Sequence, residues 1–318
     1  MNEDYLWDKS GEADPEVQRL ENLLAPLGHK PSRMPAWPAP GRNWIPIAVG
    51  IAAAVLVVAG AVWMVHERTR PAWNVVAVDG TPATNRLAHG QSLTTDAHSR
   101  LRLDRGDVGE VVVEPNTRVS VVAIRPEEQR LALDRGTIRA TIWAPPGRFF
   151  VNTPSSQTVD LGCQYTLHVD ADGVGLVQVS VGWVAFEDHG RESFIPAAAA
   201  CVTRPGKGPG IPYYEDASKA LVDAVHRFDA DGDQEAAAVI LTEARTRDAL
   251  SLWHLLRRVR PEDRGRVYDR MAQLIAIPAA VTRDGIVAGD AKMIDALWDT
   301  LDLGNTNWWR MWKSRGLK

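Results

Sequence analysis

Cysteine is scarce in this chain: Cys163 and Cys201 are the only two among 318 residues. Structural zinc needs about four Cys or His ligands at paired spacings such as C-x2-C or H-x3-H. Two distant cysteines and eight scattered histidines supply no such set. A calcium loop is missing as well. "DADG" at 170–173 and "DADGD" at 229–233 lack the glycine and the closing glutamate at the spacing such a loop requires, and both read as turns. No nucleophile–base pair or phosphate loop is visible, so neither an enzyme nor a cofactor is expected. Excess positive charge is absent too. A net charge of −4 argues against direct nucleic-acid binding.

What is present starts with the surroundings of Cys163. In "QTVDLGCQYTLHVD", residues 157–170, the apolar side chains Val159, Leu161, Cys163, Tyr165, Leu167 and Val169 alternate with polar or small ones. Period two predicts one strand over 158–169 with a buried face and a wet face. Cys163 falls on the buried face and His168 on the other. A reactive thiol needs an electropositive, partly exposed setting, so Cys163 is read as structural.

Residues 44–65, "WIPIAVGIAAAVLVVAGAVWMV", carry no charge. The run is long enough for a hydrocarbon core of about 30 Å at about 1.5 Å per residue. Trp44 and Trp63 sit near its ends, and Pro46 lies in the first turn, where a helix tolerates it. The segment before it is long and acidic-leaning, and no A-x-A-like site closes it. An uncleaved, single-pass transmembrane helix is the expectation. Lys30, Arg33 and Arg42 precede the run and Arg68 and Arg70 follow it, which favours a cytoplasmic N-terminus with the rest outside. Both cysteines would then meet an oxidising compartment. A Cys163–Cys201 disulfide, worth roughly 4 kcal/mol by loop closure, is expected there; two buried free thiols are the alternative.

The rest of the chain divides around that run. Residues 1–30 form a short helical head: Asp14 and Pro15 read as N-cap and first helical position, and Val17, Leu20, Leu24 and Leu27 make one apolar stripe. So short a helix is marginal alone, and the stripe points to a partner, with a hairpin against "YLWD" or a membrane surface as alternatives. Residues 31–43 are a proline-rich spacer. Residues 74–212 read as all-β, a sandwich or β-solenoid. Its strands include "RLALDRGTIRATIWA" (130–144), read as two around Asp134-Arg135-Gly136, and "LVQVSVGWVAFE" (176–187). Residues 214–303 change to helical period and suggest a helical-hairpin subdomain. The tail, 304–318, mixes Trp308, Trp309 and Trp312 with basic residues, which suits a membrane interface or docking on the helices.

Several β segments, in order, resemble the FecR family of membrane-anchored regulators of extracytoplasmic-function sigma factors. They are "AHGQSLTTDAHSRLRL" (88–103), "VEPNTRVSV" (113–121), "LALDRGTIRATI" (131–142), "FFVNTPSSQTVDLGCQYTLHV" (149–169) and "VQVSVGWVAFE" (177–187). Where the family usually has Gly-Thr, this chain has Gly162-Cys163, which fits a stapled variant of the sheet. The head resembles N-terminal segments of anti-sigma proteins. The resemblance implies an inner-membrane signalling regulator with periplasmic C-terminal domains. Its head would hold a cytoplasmic sigma factor through Tyr5, Trp7, Val17, Leu20, Leu24 and Leu27. The competing expectation is a cell-envelope scaffold whose β domain binds a polysaccharide or protein.

Overall fold

The computed structural model describes residues 14–28, 44–69, 71–78, 86–301 and 303. The chain divides into two compact units, Met1–Arg68 and Thr69–Lys318. The proline-rich spacer and the Trp-rich tail lie outside the described residues.

In the first unit, α1 (Pro15–Leu24) starts at the predicted cap. The Asp14 carboxylate accepts from the Glu16 N–H at 2.9 Å, and Pro15 stands where its missing N–H costs nothing. A 3-10 turn, Ala25–Leu27, ends it. A second helix, α2, spans Trp44–Thr69. The expected transmembrane helix is corrected here: among the described residues, no helix is long and apolar enough to cross a membrane.

Among the described residues, the second unit is built on sixteen strands. They are β1 Ala72–Ala77, β2 Arg86–Ala88, β3 Ser92–Thr94, β4 Leu101–Arg105, β5 Gly109–Val113, β6 Arg118–Arg125, β7 Glu128–Ile142, β8 Phe149–Asn152, β9 Gln157–Asp160, β10 Gln164–Val169, β11 Gly175–Val181, β12 Trp183–Asp188, β13 Arg191–Pro196, β14 Ala199–Arg204, β15 Gly208–Pro209 and β16 Tyr213–Tyr214. All pairings are antiparallel except β7 with β8, where Gln129 to Ala132 run alongside Phe149 to Asn152. The expectation of a sandwich or β-solenoid is therefore corrected to one connected, mixed sheet that shares its compact unit with helices.

The reason lies in β7, which is one continuous strand rather than two. Its first half, up to Arg135, pairs with β6 and β8; from Gly136 onward it pairs with β5 and β10. Gly136 makes the bend at φ +92°, and a Cβ there would collide with Thr117. Gly136→Ala is expected to destabilise the unit by about 2–3 kcal/mol. A denaturant titration showing a loss under about 0.5 kcal/mol would remove the bend from this account.

The predicted strand 158–169 also changes partners in its middle. β9 pairs with β8 and β12, whereas β10 pairs with β7 and β11. The break falls at Leu161–Cys163, with Gly162 at φ +87°. The chain crosses back at Gly182, φ +76°, between β11 and β12, where a Cβ would collide with the Gly162 carbonyl. Two glycines packed at one crossing let both strands change ladders together.

Helices follow: α3 Lys219–Asp231, α4 Gln234–Glu243, α5 Ala249–Leu256, α6 Arg264–Leu274, α7 Arg283–Ala288 and α8 Ala291–Trp298. Ser218, Asp233, Thr282 and Asp290 cap α3, α4, α7 and α8 with side-chain oxygens. These helices share a continuous core with the sheet. Phe194 of β13 meets Trp298 of α8 edge-on at 5.2 Å, and the Ser251 hydroxyl of α5 donates to the Pro212 carbonyl at 2.7 Å.

Candidate functional site

The head helix carries the candidate partner face. On α1 and its closing turn, Val17 is half-buried, and Leu20, Leu24 and Leu27 are 58%, 57% and 80% exposed. Leu23, outside the predicted stripe, is exposed beside them. No residue of α1 is buried. The spacing of three, four and three puts Val17, Leu20, Leu24 and Leu27 on one side, as the sequence predicts. The face is apolar and open, which is the form a helix-in-groove contact takes. Tyr5 and Trp7, the other expected contact residues, lie outside the described residues.

The two cysteines are free and buried, which corrects the expected disulfide. Register gives the reason. Cys163 precedes Gln164, which pairs with Val181 at one end of β11; Cys201 pairs with Val177, further along that strand, from its other side. The thiols therefore stand two strand spacings apart, about 9–10 Å, and are offset by several residues at about 3.4 Å each. A disulfide needs Cα atoms within about 7 Å.

Each thiol has a local partner instead. Cys163 Sγ donates to Asp160 Oδ2 at 2.6 Å, and Cys201 Sγ to the Gly210 carbonyl at 3.3 Å. Burial, reinforced by the adjacent Asp160, pushes the Cys163 thiol well above its ordinary value; burial, reinforced by Asp229, pushes Cys201 up to about 12. Both stay protonated, so neither is an activated nucleophile.

Asp160 was not legible as a special residue. Alternation assigns it to the wet face, yet it is 1% exposed because β9 is covered on both sides. Its carboxyl also accepts from the Gly162 N–H at 2.7 Å. Burial raises its pKa to about 7 against these hydrogen bonds. The only sequence signal is an Asx-Leu-Gly turn, Asp160-Leu161-Gly162, within a strand pattern. His168 lies on the opposite, exposed face, as expected, and bonds to the Thr137 hydroxyl at 2.8 Å.

The acidic stretches behave as backbone punctuation. Asp170 Oδ1 accepts from the N–H groups of Asp172 and Val174, closing the 170–173 turn. In 229–233, Gly232 ends α3 in the left-handed conformation and Asp233 caps α4. Asp229 instead faces inward and pairs with Arg258 at 3.3 Å. Among the described residues, no group of His, Cys, Asp and Glu is placed to hold a metal ion.

No family model matches the chain, and no curated protein matches it. Two crystal structures of a "putative anti-sigma factor" from Parabacteroides distasonis ATCC 8503 are similar to part of it, at a TM-score of 0.35 and 14% identity. The similarity spans 42% of this chain and 63% of that one, less than two thirds of its length.

Proposed function

We propose that this chain is a regulator of the anti-sigma-factor type that holds a sigma factor against the apolar face of α1. The observation that carries the reading is the face itself: Leu20 and Leu24, on a helix of 10 residues with nothing buried, are exposed together with Leu27 on the turn that closes it. An isolated helix of this length is marginal in water, and covering its stripe would stabilise it. The ordered FecR-like segments between residues 88 and 187 support the same reading, because that family regulates sigma factors. Control then requires a signal that binds the sigma-bound and released states unequally, since only differential affinity shifts such an equilibrium.

The cellular test is a reporter driven by the cognate sigma factor. With Leu20→Asp and Leu24→Asp together in the full chain, the reporter should lose its dependence on the protein. A reporter still fully controlled by the double variant would sink the reading and favour an envelope scaffold, for which the stripe is dispensable.

A further inference from the structure

Three cavities meet at the turn joining β12 to β13, and all three are lined by His189 and Arg191. His189 holds a left-handed backbone, φ +44°, with its Nδ1 2.7 Å from Asp188 Oδ1. A non-glycine residue in that region is strained, and such strain gathers at ligand sites.

The cavity between this turn and the end of α5 measures about 450 Å³, within the range of small-molecule sites, about 300–1,000 Å³. Its wall comprises His189, Arg191 and Glu192 on one side and His254, Arg257 and Arg258 on the other, with Gly190 between. Arg258 is committed to Asp229. Arg191 spends one N–H on the Lys207 carbonyl at 2.7 Å, and Arg257 stacks over Trp253 at 4.9 Å. Neither has an ion-pair partner among the described residues. Among the described residues Glu192 is the one acid on the wall, against three arginines. The Arg191 and Arg257 guanidiniums both act on Arg258 as like charges, and Arg191 also acts on Asp229.

His254 adds a different group. It is 2% exposed, kept neutral by burial, and bonds to the Phe194 backbone through one ring nitrogen. Its Nε2 is buried and has no hydrogen-bond partner among the described residues. The adjoining cavity, of about 480 Å³, is lined by the hydroxyl and amide side chains of residues 152–157 and by the acids Glu187, Asp188 and Glu192, polar groups that can meet the hydroxyls of a polyol.

We propose that this cavity binds a hydroxylated oxyanion of sugar size, with Arg191 and Arg257 clasping its carboxylate or phosphate oxygens. Paired guanidiniums match either group through charge-assisted, forked hydrogen bonds. The site lies wholly within the second unit, so its test stands apart from the sigma-factor reading.

The experiment is calorimetric titration of the full chain with inorganic phosphate, with glucuronate, and with glucose as the uncharged control. Saturable binding of an anion without comparable glucose binding is expected, and the anion that binds tells phosphate from carboxylate. Arg191→Gln with Arg257→Gln should weaken it about 10-fold or more. Arg257→Gln alone, at an exposed position, should give a clear part of that loss if the double variant proves unfolded. The proposal is overturned if neither anion binds saturably, if glucose binds as well, or if a folded variant binds unchanged.

Discussion

Arg258→Met is expected to lower the stability of the second unit by about 3–5 kcal/mol, roughly 10 °C in melting temperature for a unit of this size. Arg258 and Asp229 face each other at 3.3 Å with side chains only 6% and 5% exposed. Arg258 also donates to the Ser193 hydroxyl at 2.6 Å, which donates in turn to the Gly210 carbonyl at 2.5 Å. Asp229 accepts from the Ile211 N–H at 2.7 Å. The network ties α3 and α5 to the sheet. Burial pulls both members toward neutrality: the Asp229 carboxyl is raised, and the Arg258 guanidinium is lowered to about 10, despite their attraction. Desolvation therefore outweighs the pairing. Removing Arg258 alone leaves a buried carboxylate uncompensated, whereas adding Asp229→Asn keeps the acceptor for Ile211 without the charge. The double variant should recover most of the loss, which chemical denaturation of all four combinations would show. Equal losses in single and double variants would mean that packing, not charge burial, sets the cost.

Asp160→Asn works in the opposite direction and depends on pH. The folded carboxyl holds its proton up to about pH 7, while the unfolded value is near 3.8. The fold therefore favours protonated Asp160. Its contribution is fully present below about pH 3.8 and is lost as pH rises through about 7. By linkage, a carboxyl raised that far carries about 4 kcal/mol between its two protonation states. Asparagine is neutral at every pH and keeps an acceptor oxygen for the Gly162 N–H. The variant should be more stable than the parent by about 2–4 kcal/mol at about pH 8, with the gap closing by about pH 4. The difference between the two proteins is the quantity to follow, because His254, which burial keeps neutral, opposes the trend by costing stability as pH falls. A gap that is constant with pH would mean that folding does not shift the Asp160 carboxyl.

These two sites mark where the sequence stops being readable. Local signals carried through: Asp14 and Pro15 start α1, and the odd positions from Val159 to Val169 are buried. Each of those readings depends on residues within a few positions of one another. The partner exchange at Gly162 and Gly182 is not local; an alternating run looks the same whether or not its ladder changes midway. For that reason Asp160 reads as wet, 130–144 reads as two strands, and Cys163 reads as within reach of Cys201. Arg258 with Asp229, and Arg257 with Arg191, are brought together only by docking helices on the sheet, which no spacing reveals. The apolar run at 44–65 is a helix, as its composition predicts, yet among the described residues no helix is long and apolar enough to cross a membrane.

The central claim concerns the head, and it is tested most directly by calorimetric titration of the full chain with sigma factors from the same cell. The account predicts saturable binding to one of them, weakened about 100-fold or more by Leu20→Asp with Leu24→Asp, since each change removes a buried leucine contact worth about 1.5–3 kcal/mol. Binding to none of them, or binding that the double variant retains, would contradict it.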